Sequence, residues 1–158
     1  MNNENDIKFL DVALDLAAEN IRSGGGPFGA VIVRDGIIVS MSGNRVVEAA
    51  DPTAHAEILA IRFASAKLGT HLLSDCVLYT SCEPCPMCLG AIYWAGIERV
   101  VYSATREDAA RAGFNDRYIY EEIALAPADR NIEFLHAKKN RGVEVFSQWI
   151  DYPDKKPY

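Results

Sequence analysis

Three of this chain's four cysteines stand within seven residues: Cys82, Cys85 and Cys88, in the stretch TSCEPCPMCLG at residues 80–90. Thiols this dense converge on a metal, a redox couple or a crosslink, and each ties the local backbone into one shape. Crosslinked frameworks belong to secreted chains. Here the opening MNNENDIKFLDVALDLAAEN is polar and then amphipathic, without the basic start and apolar stretch of a signal peptide. The expectation is a cytoplasmic protein with reduced thiols. No apolar run approaches the roughly 18 residues of a membrane helix. A net charge of -6 gives no global pull towards phosphate backbones and argues against a nucleic-acid partner.

The 158 residues suit a single domain with one sizeable core. Ile7, Leu10, Leu14, Ala17, Ala18 and Ile21 recur at helical spacing and predict an opening helix, stopped by SGGGP at 23–27. FGAVIVRDGIIVSMSGN reads as a hairpin around an Asp35-Gly36 turn. DPTAHAEILAIRFASAKLG predicts a helix capped by Asp51 or Thr53, with Pro52 in its first turn and Gly69 at its end. CVLYTS predicts a buried strand, PMCLGAIYWAG a helix and RVVYSA another strand. Further on, REDAARAGFND predicts a short helix and a loop, and RYIYEEIALAPADR a helix and a turn. NIEFLHA reads as a strand and GVEVFSQWIDY as a last helix before the tail PDKKPY. Strands alternate with helices after the hairpin, which predicts an α/β fold with helices on both faces of a mixed sheet.

Cys85 and Cys88 share one face at the start of a helix, so both sulfurs can reach one metal. Free N–H groups at that helix start favour thiolate over thiol. His55, near another helix start, offers an imidazole nitrogen, and two sulfurs with one nitrogen suit zinc. Glu57 lies two residues from His55, so the metal must sit beyond the helix end for both to approach it. Two thiolates formally cancel the charge of zinc, so a bound water is acidified less and a nearby base gains a purpose. Glu57 can take that proton and later deliver it to a leaving amine. The spacing equally permits a closed structural site of Cys82, Cys85, Cys88 and His55. Cys82, off the helical face, would otherwise be a small buried filler.

HAE at 55–57 with PCPMC at 84–88 matches the H-x-E…P-C-x-x-C signature of the zinc-dependent nucleobase deaminases. The chain resembles that family, part of the cytidine-deaminase-like superfamily, through GGPFGAVIV, DPTAHAE, LYTSCEPCPMCLGAIYWA, AGFND and a terminal tyrosine. Among its members it looks most like the bacterial guanine deaminases. The resemblance implies a three-layer α/β/α sandwich around a five-stranded mixed sheet. It implies one zinc ion per chain on His55, Cys85 and Cys88, with Glu57 as proton shuttle and Cys82 a non-ligand. The reaction it implies is hydrolysis of guanine to xanthine and ammonia by a zinc-activated water. It also implies a homodimer in which the C-terminal segment, about residues 138–158, crosses to the partner and covers its active site.

The same resemblance gives other residues roles. Asn44 and the backbone of Ala56 would bond the base edge, and Phe28 would stack on the purine. Trp94 would contact substrate, Asp116 would touch the base and assist proton transfer, and Tyr158 would reach the partner's pocket. Without it, Asn44 reads as a turn residue, Phe28 and Trp94 as core, Asp116 as a solvated acid and Tyr158 as a frayed terminus. GGG at 24–26 reads as a flexible loop. Three rivals share the motif or the metal: a tRNA adenosine deaminase, a deaminase of cytosine or another aminoheterocycle, and a non-catalytic zinc-binding interaction protein. The acidic charge and the missing basic C-terminal helix argue against the first.

Overall fold

The computed structural model describes residues 4–137 and 141–157, which divide into two compact units, one ending at Tyr120 and one beginning at Glu121. The chain opens with α1 (Glu4–Arg22), as predicted. The buried face differs from the expected one. Phe9, Ala13 and Ala17 are buried, whereas Ile7, Leu14 and Ile21 stay exposed. Close approach decides this. A Cβ at Gly29 would stand 2.3 Å from the Ala13 carbonyl oxygen, so the helix lies on the sheet along its small-residue stripe.

Two strands follow, β1 (Gly29–Arg34) and β2 (Ile37–Gly43), joined as a hairpin. Asp35 and Gly36 both have positive φ, 51° and 73°, which matches the right-handed twist of the paired strands. After a short helix, α2 (Val46–Ala49), comes α3 (Ala56–Leu68), ended by Gly69 at φ 67°. The predicted caps of α3 are corrected. The Asp51 carboxylate accepts from the Thr53 backbone and hydroxyl, closing a separate turn. The helix therefore begins only at Ala56, with His55 at the capping position. Then come β3 (Cys76–Cys82), α4 (Pro86–Trp94) and β4 (Arg99–Ala104). The first unit closes with α5 (Arg106–Arg111) and ends within α6 (Arg117–Ala124).

The sheet order is β2-β1-β3-β4, with β3 and β4 parallel and the other pairs antiparallel. Alternation along β1 and β3 builds a core on each face. Ala30, Ile32 and Leu78 pack with α3 and with Ile92 of α4. Val31, Val33 and Tyr79 pack with Phe9 and Ala13 of α1. Across that second core, the buried Asp6 carboxylate accepts from the Tyr79 hydroxyl at 2.8 Å and from both Arg99 guanidinium nitrogens at 3.0 and 2.5 Å. The α/β/α layering is as expected, but among the described residues the sheet has four strands where five were expected.

The missing strand is the run at 131–137, which forms none among the described residues. Its polar groups turn to local partners: Asn131 donates through its backbone and side chain to Glu122, and Arg130 stacks over Phe134. Ile132 and Leu135 are exposed. The second unit also contains a 3-10 turn at Pro127–Asp129 and α7 (Arg141–Asp151). No described helix is long and apolar enough to cross a membrane.

Candidate active site

His55 caps α3 and Cys85 caps α4, both with extended backbone (φ -67°, ψ 152° and φ -66°, ψ 168°). Neither side chain bonds back to the helix it precedes. His and Cys are poor caps, and here both side chains are turned towards each other instead. Pro86 opens α4 with the fixed φ of a first turn, and Cys88 follows one turn on, fully buried. The His55 Nδ1 stands 3.5 Å from the Cys85 Sγ and 3.5 Å from the Cys88 Sγ. Among the described residues, these three are the group whose ligand atoms converge, all within 4.8 Å of one another.

Their spacing fits zinc. Tetrahedral zinc with Zn–S of about 2.3 Å and Zn–N of about 2.0 Å puts sulfur and nitrogen roughly 3.5 Å apart. The electrostatics also prepare a thiolate. A hydrogen bond from Cys88 and the contact with His55 pull the Cys85 thiol down to about 4 against its burial. The same bond, with burial, pushes Cys88 up, and the Cys85 contact raises His55. A bound cation would take the place of the thiol protons at this pair.

Glu57, in the first turn of α3, is 5% exposed. Burial pushes its carboxyl above the usual range, opposed by its backbone N–H and reinforced by the charge of Cys85. It lines a cavity of about 520 Å³ together with His55, Cys85, Asn44 and Phe28. That volume lies within the ordinary range for small-molecule sites. Asp116 lines the same cavity, its carboxyl raised by burial and by Cys85. The Asn44 Oδ1 accepts from the Val46 N–H at 3.2 Å, which fixes the amide and leaves its NH2 for other acceptors. Cys82 ends β3, buried at the cavity wall, with its Sγ 3.6 Å from the Thr105 carbonyl and its thiol pushed up to about 11 by burial. It is outside the converging trio.

Other expected residues lie elsewhere. Ala56 is fully buried at the first position of α3, where its N–H has no intrahelical acceptor. Trp94, the expected substrate contact, ends α4 at 70% exposure and is not among the residues lining this cavity. A side chain at the end of a nine-residue helix cannot reach back to a site at its start. Tyr158 lies outside the described residues.

Sequence reasoning missed several groups. Phe114 meets Phe28 edge to face, with ring centroids 4.9 Å apart, and both line the cavity. AGFND pointed to that loop, but only its aspartate was read. Arg106 also lines the cavity, and its charge is taken up. Glu83 accepts from its backbone N–H, its Nε and its Nη2, while its guanidinium stacks 4.4 Å over the Tyr120 ring. The Tyr120 hydroxyl in turn donates to the Pro84 carbonyl at 3.0 Å, just ahead of Cys85. These partners are 23 and 36 residues apart, and no local signal joins them.

Comparison with known proteins gives consistent results. The family model of the cytidine and deoxycytidylate deaminase zinc-binding region matches residues 3–104. A guanine deaminase of Bacillus subtilis is 51% identical over 151 residues, spanning 95% of this chain and 97% of the relative. The X-ray structure of guanine deaminase from Bacillus subtilis superposes with a TM-score of 0.94 at 50% identity, covering 100% of this chain and 99% of that one. A tRNA-specific adenosine deaminase of Aquifex aeolicus is 48% identical over 96 residues, covering 61% of this chain and 64% of its own.

Proposed function

The chain belongs to the cytidine and deoxycytidylate deaminase zinc-binding family, and on that footing we propose that it hydrolyses guanine to xanthine and ammonia. The observation that carries the substrate is the reach of the likeness. The zinc-binding region ends at residue 104, and the similarity to the adenosine deaminase covers only 61% of the chain. The likeness to guanine deaminase covers 151 residues, so it takes in most of the segment that brings Phe114 and Asp116 to the cavity.

His55, Cys85 and Cys88 would hold a zinc ion, which when bound would supply a Lewis acid that makes water a nucleophile near neutral pH. Glu57 takes one proton of the attacking water to the ring nitrogen beside C2, where it stays, and then the second, from the new C2 hydroxyl, to the exocyclic amine. The bond from oxygen to C2 forms, the bond from C2 to the amine nitrogen breaks, ammonia leaves and the C2 carbonyl of xanthine remains. Phe28 stacks on the purine, held at its edge by Phe114. The Asn44 amide and the Ala56 N–H bond the base edge, and Asp116 meets its far side and assists proton transfer. The apolar walls exclude water and strengthen each of these bonds.

The working form is a homodimer in the cytoplasm. Its C-terminal segment, about residues 138–158, crosses to the partner, where Tyr158 covers the partner's cavity. In support, α7 of the second unit carries the apolar side chains Val143, Phe146 and Ile150, all exposed, a face of the kind that protein partners cover. The four cysteines are all free thiols, as a reducing compartment requires.

The test is ammonia release by zinc-replete protein given guanine, with cytosine and adenosine-bearing tRNA in parallel. Guanine alone should yield ammonia, and Glu57→Gln should keep one zinc per chain while losing turnover by about a thousandfold or more. Release only from another substrate overturns the guanine assignment. An active Glu57→Gln variant overturns the proton shuttle.

A further inference from the structure

The last turn of α1 carries Asn20, a half-buried amide that touches neither the metal ligands nor the cavity. Its Nδ2 donates to the Gly26 carbonyl at 2.7 Å and to the Asn44 carbonyl at 2.8 Å. One NH2 group thus ties together two segments 18 residues apart, both of which line the cavity. The Gly26 carbonyl also accepts from the Phe28 N–H at 2.8 Å, and the Phe28 carbonyl accepts from the Asn44 N–H at 3.0 Å. Next along the chain, the Arg45 N–H donates to the Ala54 carbonyl at 2.9 Å, the residue before His55.

Two glycines make room for this amide. A Cβ at Gly25 would stand 2.4 Å from the Asn20 Nδ2, and one at Gly43 would stand 2.8 Å from its Oδ1. Neither glycine has a positive φ, so neither is required by backbone conformation. Space is the reason for both. The stretch at 24–26, which reads as a flexible loop in the sequence, is pinned at one end by a side chain.

We propose that Asn20 is a positioning residue for substrate recognition, setting Asn44 and Phe28 in register through the Gly26 and Asn44 carbonyls. This rests on the reading of the cavity as a purine site. Asn20 holds the wall that grips the base, not the groups that move protons. Its loss should therefore weaken substrate binding and leave the chemical step nearly intact.

The variants are Asn20→Asp, which keeps the shape but has no amide donors, and Gly25→Ala, which crowds the amide without removing it. Both are compared with zinc-loaded full-length protein. With guanine, each should raise KM by about tenfold while changing kcat by less than about threefold, at unchanged zinc content. Added to Asn20→Ala, Gly25→Ala should have little further effect, because the side chain it displaces is gone. A second readout needs no substrate: the Phe28 and Asn44 amides should exchange hydrogen faster in Asn20→Asp, while those within β3 keep their protection. Unchanged KM and unchanged exchange would overturn the proposal. So would equal losses in kcat, zinc content and β3 protection, which would mark Asn20 as a general support of the fold. Wild-type protein silent on guanine would instead refute the substrate reading, and the exchange rates would still decide the role of Asn20.

Discussion

Cys82 and Cys85 are three residues apart, as are Cys85 and Cys88, and spacing alone treats the three alike. What separates them is the element each stands on. Cys85 and Cys88 occupy the cap and third position of α4, whereas Cys82 ends β3 and turns its sulfur to the Thr105 carbonyl. The Cys82 sulfur also stands outside the converging ligand group, which among the described residues comprises His55, Cys85 and Cys88. Cys82→Ala is expected to keep one zinc per chain, with a stability loss of about 1–2 kcal/mol for a small buried side chain. Cys88→Ala should release the metal. Metal content by atomic absorption, with urea unfolding alongside, checks both. Zinc lost from the Cys82 variant would restore the closed four-ligand site.

At the scale of elements, local signals found most helices and strands but not always their faces or ends. The apolar period of α1 marked a helix, yet the face that packs is the alanine stripe opposite Gly29. Periodicity counts hydrophobic side chains and is blind to how closely two backbones approach. Gly29→Ala tests that contact. Its Cβ would press on the Ala13 carbonyl and the Ala17 nitrogen, both backbone atoms that cannot swing aside. Overpacking of this kind should cost about 2–3 kcal/mol. It should lower the urea midpoint and leave m unchanged. A neutral substitution would mean that α1 can lift from the sheet freely. The start of α3 was misplaced for a related reason. Asp51 and Thr53 are good caps by type, but they satisfy each other in a turn and leave the cap to His55.

For the whole molecule, the second unit raises the question of what its apolar residues cover. Removing residues 153–158 should sharply reduce guanine turnover while leaving zinc bound. Mixing that truncated protein with full-length Glu57→Gln should restore activity, because the intact tail of one chain would cover the competent cavity of the other. Two inactive parents whose mixture is active would establish a shared site. A mixture that stays inactive, or a truncated protein that keeps full activity, would remove the crossed tail from the mechanism. Analytical ultracentrifugation of the intact protein tests the proposed dimer independently, and a monomer would remove it.

The sequence by itself pointed to the candidate chemistry. A His-x-Glu and a Cys-x-x-Cys, each at a helix start, single out candidate metal ligands and a candidate base, because helical spacing and donor type are local properties. It also determined the α/β class and the Asp35-Gly36 hairpin, which rest on short-range pattern and turn conformation. Tertiary structure alone decided the exclusion of Cys82, the sheet's four strands and the Phe28–Phe114 pair. It alone decided the Glu83–Arg106–Tyr120 clamp and the Asn20 bridge. Each of these joins groups distant in sequence or depends on whether a sheet edge finds a partner. Such contacts form only when the packed layers bring those groups within a few ångströms, and no local propensity encodes that distance.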